Sequence, residues 1–333
     1  MQNRIAVIGA GSWGTTLAIL LADKEHAVRL WVYEKDLAEE MQNARENRVY
    51  LPGHRLSDNI AVTSSIKDAV SDAEIIVSVV PSHVARGVIK ELVPFVSKDT
   101  IIVSATKGIE NNTLMLISDV FKDILPKSFH KNLTFLSGPS FAKEVVQKMP
   151  TAVALASYDK KAGESVQNAF STEYFRVFTN SDVIGVELGG ALKNVIAIAT
   201  GIADGMGFGH NTRAAIITRG LAEMTRFGIA MGAEPATFAG LSGLGDLILT
   251  CTGELSRNRT VGIRLGKGEK LKNILASMKM IAEGVKTTKA AYELSKKYSI
   301  EMPIINEVYY ILYEDKDVMA SAKDLLKRDL GEE

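Results

Sequence analysis

The chain has 333 residues, enough to bury a large core and to form two domains at about 100–200 residues each. Lys plus Arg and Asp plus Glu both number 39, so no net field favours nucleic acid or an anionic membrane surface, and binding is expected at local sites. A single cysteine, Cys251, excludes an internal disulfide framework, and the first apolar run starts without a charged leader or signal core, which points to a cytoplasmic location.

Residues 5–8 are β-branched and apolar and run straight into Gly9-Ala10-Gly11-Ser12-Trp13-Gly14. That is a strand feeding a glycine turn. Gly9 permits the tight turn, Gly11 lets backbone approach a pyrophosphate, and Gly14 lets the helix expected over 15–22 pack close to the strand. The helix start adds N–H groups and a positive dipole end. A second strand, 27–32, leads to Glu34, whose carboxylate suits a ribose 2′-hydroxyl. Arg29, Lys35, Arg45 and Arg48 are the basic residues in range of a 2′-phosphate instead. A bare motif of this spacing is weak evidence, but this one stands between strand and helix, where its mechanism requires it. NAD(H) or NADP(H) is the expected cofactor.

Further strand-like runs at 74–80, 100–105, 133–137, 151–156 and 175–178 alternate with helical ones. The pattern predicts an α/β N-terminal domain of Rossmann type, doubly wound, with a mostly parallel sheet. Ligands of such sheets bind beyond the carboxyl ends of the strands. Three ends turn abruptly small or polar there: Val80-Pro81-Ser82-His83, Ala105-Thr106-Lys107-Gly108 and Ser137-Gly138-Pro139-Ser140.

Past about residue 181 no period-two run follows, while helical spacing continues at 221–227, 271–280, 285–297 and 305–313. An all-α C-terminal domain is expected, with domains at 1–183 and 184–333 and the boundary near 181–185. No flexible linker marks that boundary, so the halves are expected to form a cleft. The most apolar stretch, 186–203, contains Glu187, Lys193 and Asn194, which argues for a buried helix and against a membrane-embedded chain.

Hydride chemistry needs a group that gives or takes a proton. Lys193 is the best candidate: its helical neighbours Gly189, Gly190, Ile196 and Ala197 are small or apolar, so its amine would be partly desolvated and its pKa drawn toward about 7–8. A lysine snorkelling along an apolar face is the bland alternative. Asp246 and Thr250, four residues apart on one helical face, would present a carboxylate and a hydroxyl together. Arg257 and Asn258 add donors suited to phosphate oxygens, against the alternative of an exposed helix start capped by Ser256. Lys107, at a strand's carboxyl end, is expected to reach a substrate oxygen near the nicotinamide, against the alternative of a lysine on a surface turn. Cys251 has no histidine partner nearby and reads as a buried small residue. His26, His54, His83, His130 and His210 stand apart, and no metal is expected.

Taken in order, IGAGSWGTTLA, VVPSHV, SATKGIE, LSGPSFAKEV, GVELGGALKNVIAIATGIADGMGFGHNTRAAIITRGLAEM, AGLSGLGDLILTCTGELSRNR, AEGVKT and EMPI resemble the bacterial-type NAD(P)-dependent glycerol-3-phosphate dehydrogenases, from residue 5 to about 304. The resemblance implies a Rossmann domain followed by a helical one, and interconversion of sn-glycerol 3-phosphate and dihydroxyacetone phosphate, supplying glycerophospholipid synthesis. It makes Lys193 the proton donor and acceptor. By the same matching Lys107, Gly138, Ser140, Asp246, Ser256, Arg257 and Asn258 resemble substrate positions, with Thr250 and Asn194 as hydrogen-bond partners. Ser12, Trp13, Lys107, Ala142, Arg257, Ile281 and Glu283 resemble cofactor contacts, and Tyr33 stands where many relatives place His or Arg. Small phosphorylated substrates are the expected partners, with a homodimer and no nucleic acid. A 3-hydroxyacid or 6-phosphogluconate dehydrogenase, and a dinucleotide-binding redox sensor without turnover, are the competing readings.

Overall fold

The computed structural model describes residues 2–278 and 282–328. The chain begins with β1 (Arg4–Ile8), α1 (Ser12–Asp23), β2 (Ala27–Trp31), α2 (Lys35–Ala44), β3 (Ile60–Thr63) and α3 (Ile66–Val70). It continues through β4 (Ile75–Ser78), α4 (Ser82–Leu92), β5 (Ile101–Ser104), α5 (Ile117–Ile124), β6 (Leu133–Ser137) and α6 (Ala142–Val146). β7 (Thr151–Ser157), α7 (Lys160–Phe170), β8 (Phe175–Asn180) and α8 (Val183–Gly205) follow. The remainder is helical: α9 (His210–Ala230), α10 (Pro235–Phe238), α11 (Asp246–Thr252), α12 (Arg257–Gly266), α13 (Leu271–Ala276), α14 (Glu283–Lys297), α15 (Pro303–Tyr313) and α16 (Val318–Leu326). Two compact units result, one of Met1–Lys107 and Met115–Glu187, the other of Gly108–Leu114 and Leu188–Glu333.

The first unit carries one eight-stranded sheet in the order β3-β2-β1-β4-β5-β6-β7-β8. All neighbours run parallel except β6 and β7. The order reverses at β1, whose neighbours are β2 and β4, and it is there that the glycine turn leaves the sheet. β4 and β6 are buried at every residue, as strands covered by helices on both faces must be. The edge strands β3 and β8 alternate buried with more exposed residues instead. β3 is the strand that the sequence reading missed: four residues at an edge offer only Ile60 and Val62 to the core, too short a run for alternation to show. The run read as helical over 271–280 ends as α13 at Ala276, with only Ile274 buried, and residues 279–280 lie outside the described ones.

In the second unit α8 runs against α12 at backbone distance. A Cβ added at Gly201 would overlap the Arg259 carbonyl, and one at Gly262 the Ile198 carbonyl, so only glycine lets these helices meet. By length and composition α8 passes as a membrane-crossing helix, but 89% of its most apolar window is buried inside the protein. It is a core helix.

Three helices begin without a capping side chain of their own and borrow one. Glu187 Oε1 accepts from Ser118 N–H at the start of α5 (2.9 Å). Glu223 accepts from Ile304 and Ile305 N–H at the start of α15 (2.7 and 3.2 Å). Asn258 Oδ1 accepts from Gly284 N–H at the start of α14 (2.9 Å). Orphan N–H groups at a helix start need acceptors, and a carboxylate also suits the dipole. Burial pushes the Glu187 carboxyl up to about 8 and that of Glu223 up to about 7, with the capped N–H groups opposing the rise.

Candidate active site

In the first unit, the glycine turn follows β1 as its spacing requires. Gly9 has φ +110°, and a Cβ on Gly14 would strike the Gly9 carbonyl oxygen, so α1 packs onto the turn only with glycine at both places. The N-cap of α1 is Gly11, with no side-chain cap on the N–H groups behind it. No atom lies within 4 Å of where a Gly11 Cβ would sit. An uncapped helix start with an open backbone beside it fits the pyrophosphate of a dinucleotide.

Around this turn Ser12 Oγ donates to the Tyr50 carbonyl (2.5 Å) and Trp13 packs against Phe175 with ring centres 6.4 Å apart. Ala142 opens α6, and its carbonyl accepts from Thr16 Oγ1 (3.3 Å). Tyr33, 77% exposed, meets Trp31 edge-on. Of the basic residues weighed for a 2′-phosphate, Arg29 spends its guanidinium on the Asp68 and Ser71 carbonyls and Arg45 on that of Ser57. Arg48 lies 3.6 Å from Glu46. At the ends of β5 and β6, Lys107 Nζ and Ser140 Oγ both donate to the Gly138 carbonyl (3.0 Å each). A cation, a hydroxyl and a glycine loop thus converge on one peptide.

In the second unit, a π-helical turn at Leu241–Gly245 delivers Asp246 to the first position of α11. Such turns frequently accompany functional sites. Lys193, midway along α8, donates from Nζ to Asp246 Oδ1 (2.5 Å) and to Thr250 Oγ1 (2.8 Å). Thr250 Oγ1 donates in turn to the Asp246 carbonyl (2.7 Å). Lys193 is 6% exposed and Asp246 1%, so the charge pair is almost dry. The ammonium is desolvated as expected from its neighbours, but it is held by a carboxylate rather than sleeved in apolar groups alone.

Next to it, Asn258 Nδ2 donates to Asn194 Oδ1 (2.9 Å), which with the α14 cap ties α8, α12 and α14 together. Ser256 is the N-cap of α12, its Oγ accepting from Arg259 N–H (3.2 Å), and it is buried rather than exposed. Arg257 leaves part of its side chain open to solvent, yet enough protein surrounds its guanidinium that desolvation draws its pKa below the usual value, while the Glu283 carboxylate raises it. Ile281 lies outside the described residues. Burial pushes the Cys251 thiol up to about 12, and a thiol that stays protonated is no nucleophile. Among the described residues no group of three or more His, Cys, Asp or Glu side chains is disposed to hold a metal.

Asn47, Tyr50, Glu223 and Gly284 hold parts of this architecture that no sequence signal marked, and Glu187, expected only as a polar residue of a buried helix, proves to cap α5. Each acts through a partner remote along the chain, and no local pattern marks it.

A dinucleotide turn at the reversal of a parallel sheet, and a buried lysine–carboxylate pair in a helical unit, define a nicotinamide-dependent oxidoreductase. The profile described as NAD-dependent glycerol-3-phosphate dehydrogenase N-terminus matches residues 4–163, and its C-terminus counterpart matches residues 182–323. The chain belongs to the NAD-dependent glycerol-3-phosphate dehydrogenase family. It is 56% identical to glycerol-3-phosphate dehydrogenase (NAD(P)+) of Geobacter sp. strain M21 over 333 residues, covering 100% of this chain and 99% of that protein. Its likeness to the enzyme of that name from Leptospira biflexa is 52% over 330 residues, 99% of each. The crystal structure of glycerol-3-phosphate dehydrogenase from Coxiella burnetii superposes with a TM-score of 0.94 at 40% identity, covering 98% of this chain and 99% of that one.

Proposed function

We propose that the chain interconverts sn-glycerol 3-phosphate and dihydroxyacetone phosphate with NAD(H) or NADP(H), and that Lys193 exchanges the proton at the substrate oxygen. The observation that carries this reading is the dry Lys193–Asp246–Thr250 cluster in a member of this family. When bound, the reduced nicotinamide supplies the hydride. As negative charge grows on the ketone oxygen, the Lys193 ammonium stabilises it and gives up a proton, and Asp246 holds the amine in place throughout. Thr250 fixes the direction of that amine by accepting from it while anchored to the α11 backbone.

Arg257 and Asn258 bind the substrate phosphate in this reading, supported by the planar donors of Arg257 and by the α12 start that carries both. Lys107 polarises or positions the reacting oxygen, with Gly138, Ser140, Asn194 and Ser256 shaping the substrate's surroundings. Gly9, Gly11, Ser12, Trp13, Gly14, Tyr33, Ala142, Ile281 and Glu283 hold the cofactor together with Lys107 and Arg257. Residues 1–183 serve as the dinucleotide-binding domain and 184–333 as the substrate domain. The working form is a cytoplasmic homodimer outside the membrane, contributing glycerol 3-phosphate to glycerophospholipid synthesis; the burial of α8 and a charge balance that gives no net pull toward an anionic surface support its place outside the membrane.

A substrate panel tests the assignment: dihydroxyacetone phosphate, a 3-oxoacid and 6-phosphogluconate, each with its matching cofactor redox state, followed by nicotinamide absorbance. Turnover with dihydroxyacetone phosphate alone supports it. Turnover with another substrate, or cofactor binding without any turnover, overturns it in favour of a related dehydrogenase or a sensor.

A further inference from the structure

Asn47 lies in the loop between α2 and β3 and has no part in the reading above, yet it is fully buried against the glycine turn. The loop closes on itself. Arg45 ends α2 in a left-handed conformation (φ 52°), and Leu56 N–H returns to the Arg45 carbonyl (2.7 Å). The backbones of Glu46 and Arg55 pair in an isolated antiparallel bridge, and Gly53 N–H donates to Glu46 Oε1 (2.8 Å).

Asn47 fastens this closed loop to the turn. Its Nδ2 donates to the Ala10 carbonyl (2.8 Å) and to Thr15 Oγ1 (2.9 Å), while its Oδ1 accepts from Tyr50 N–H (3.0 Å). The partners settle which way the amide faces, because Ala10 offers only an acceptor here and Tyr50 N–H only a donor. Thr15 Oγ1 adds a longer contact to the same Ala10 carbonyl (3.3 Å).

We propose that Asn47 is a positioning residue for the dinucleotide: it sets the plane of the Ala10–Gly11 peptide, and with it the direction of the N–H that meets the pyrophosphate. The proposal rests on reading the glycine turn as the pyrophosphate site. A trans peptide is planar, with its C=O and N–H pointing opposite ways. Holding the Ala10 oxygen on Asn47 therefore aims the Gly11 N–H away from the loop. Of the two torsions that flank this peptide, ψ of Ala10 and φ of Gly11, the second belongs to a glycine and is loosely restrained, and α1 has no capping side chain of its own to fix it. A donor aimed before the ligand arrives loses less freedom on binding.

The test uses the full-length protein and three probes: NADH, ADP-ribose, which keeps the pyrophosphate, and adenosine, which lacks it. Asn47→Asp keeps an acceptor for Tyr50 N–H, so the loop stays fastened, but sets a carboxylate oxygen against the Ala10 carbonyl. Asn47→Ala removes the hold without adding charge. Thr15→Val preserves shape, and so remains readable if either Asn47 variant fails to fold. Dissociation constants for NADH and ADP-ribose are expected to rise about tenfold in both Asn47 variants and less in Thr15→Val, with adenosine binding within about twofold of wild type. A loss that falls equally on adenosine would make Asn47 a support of the fold only and overturn the proposal. Unchanged ADP-ribose affinity in the folded variants would also overturn it. Wild-type protein that fails to bind ADP-ribose would sink the pyrophosphate reading itself, and this inference with it.

Discussion

Lys193 Nζ stands 2.5 Å from Asp246 Oδ1, with both side chains almost wholly removed from water. A buried ammonium is tolerable only with such a partner, and removing one member of a buried pair typically costs about 3–5 kcal/mol. Thr250 completes the set from one turn along α11 and gives the carboxylate's helix a second grip on the amine.

Asp246→Asn keeps the shape and deletes the charge. The expected result is a kcat lowered about 100-fold, a lower thermal midpoint, and an NADH dissociation constant close to wild type. Steady-state kinetics, thermal unfolding and NADH titration read the three quantities. A variant with wild-type kcat would show that the carboxylate does not tune the amine.

Arg257→Ala is expected to raise KM for dihydroxyacetone phosphate about 10- to 100-fold, the loss of charge-assisted hydrogen bonds to phosphate. Arg257→Lys should recover only part of it, since an ammonium lacks the planar fork. Unchanged KM values for both substrate and cofactor would remove Arg257 from the site.

Glu187 makes stability depend on pH in a direction opposite to that of an ordinary ion-paired carboxylate. With its folded pKa near 8 against an ordinary 4.5, the native chain retains a proton that the unfolded chain has released. Its contribution is therefore complete below pH of about 4.5 and is lost as pH rises through about 8, an effect of a few kcal/mol. Glu187→Gln still offers an oxygen to Ser118 N–H and cannot ionise. Thermal midpoints of the two proteins should agree near pH 5 and diverge in favour of the variant toward pH 9; parallel curves would contradict the assignment. Glu223, near 7, adds a similar slope in both proteins.

Much of this was legible in the sequence because the signals were local. Residues 5–14 announce a strand, a turn and a helix in one stretch, and β1, α1 and the Gly9–Gly14 contact follow that order. The four-residue spacing of Asp246 and Thr250 likewise survives as one face of α11. What stayed hidden was long-range. β3 is an edge strand with too few core positions to betray its period, and Ala282, Leu116 and Met302 start helices whose caps arrive from Asn258, Glu187 and Glu223. Asn47 sits in a charged loop with nothing beside it in sequence to suggest that it grips the turn 37 residues earlier.

The most direct test follows initial rates of dihydroxyacetone phosphate reduction, with NADH and with NADPH, in the wild-type protein and in Lys193→Ala. Wild-type turnover is expected, with kcat in the variant lower by about 100- to 10,000-fold and NAD(P)H affinity retained. A Lys193→Ala protein turning over within a few-fold of wild type would mean that the proton comes from elsewhere.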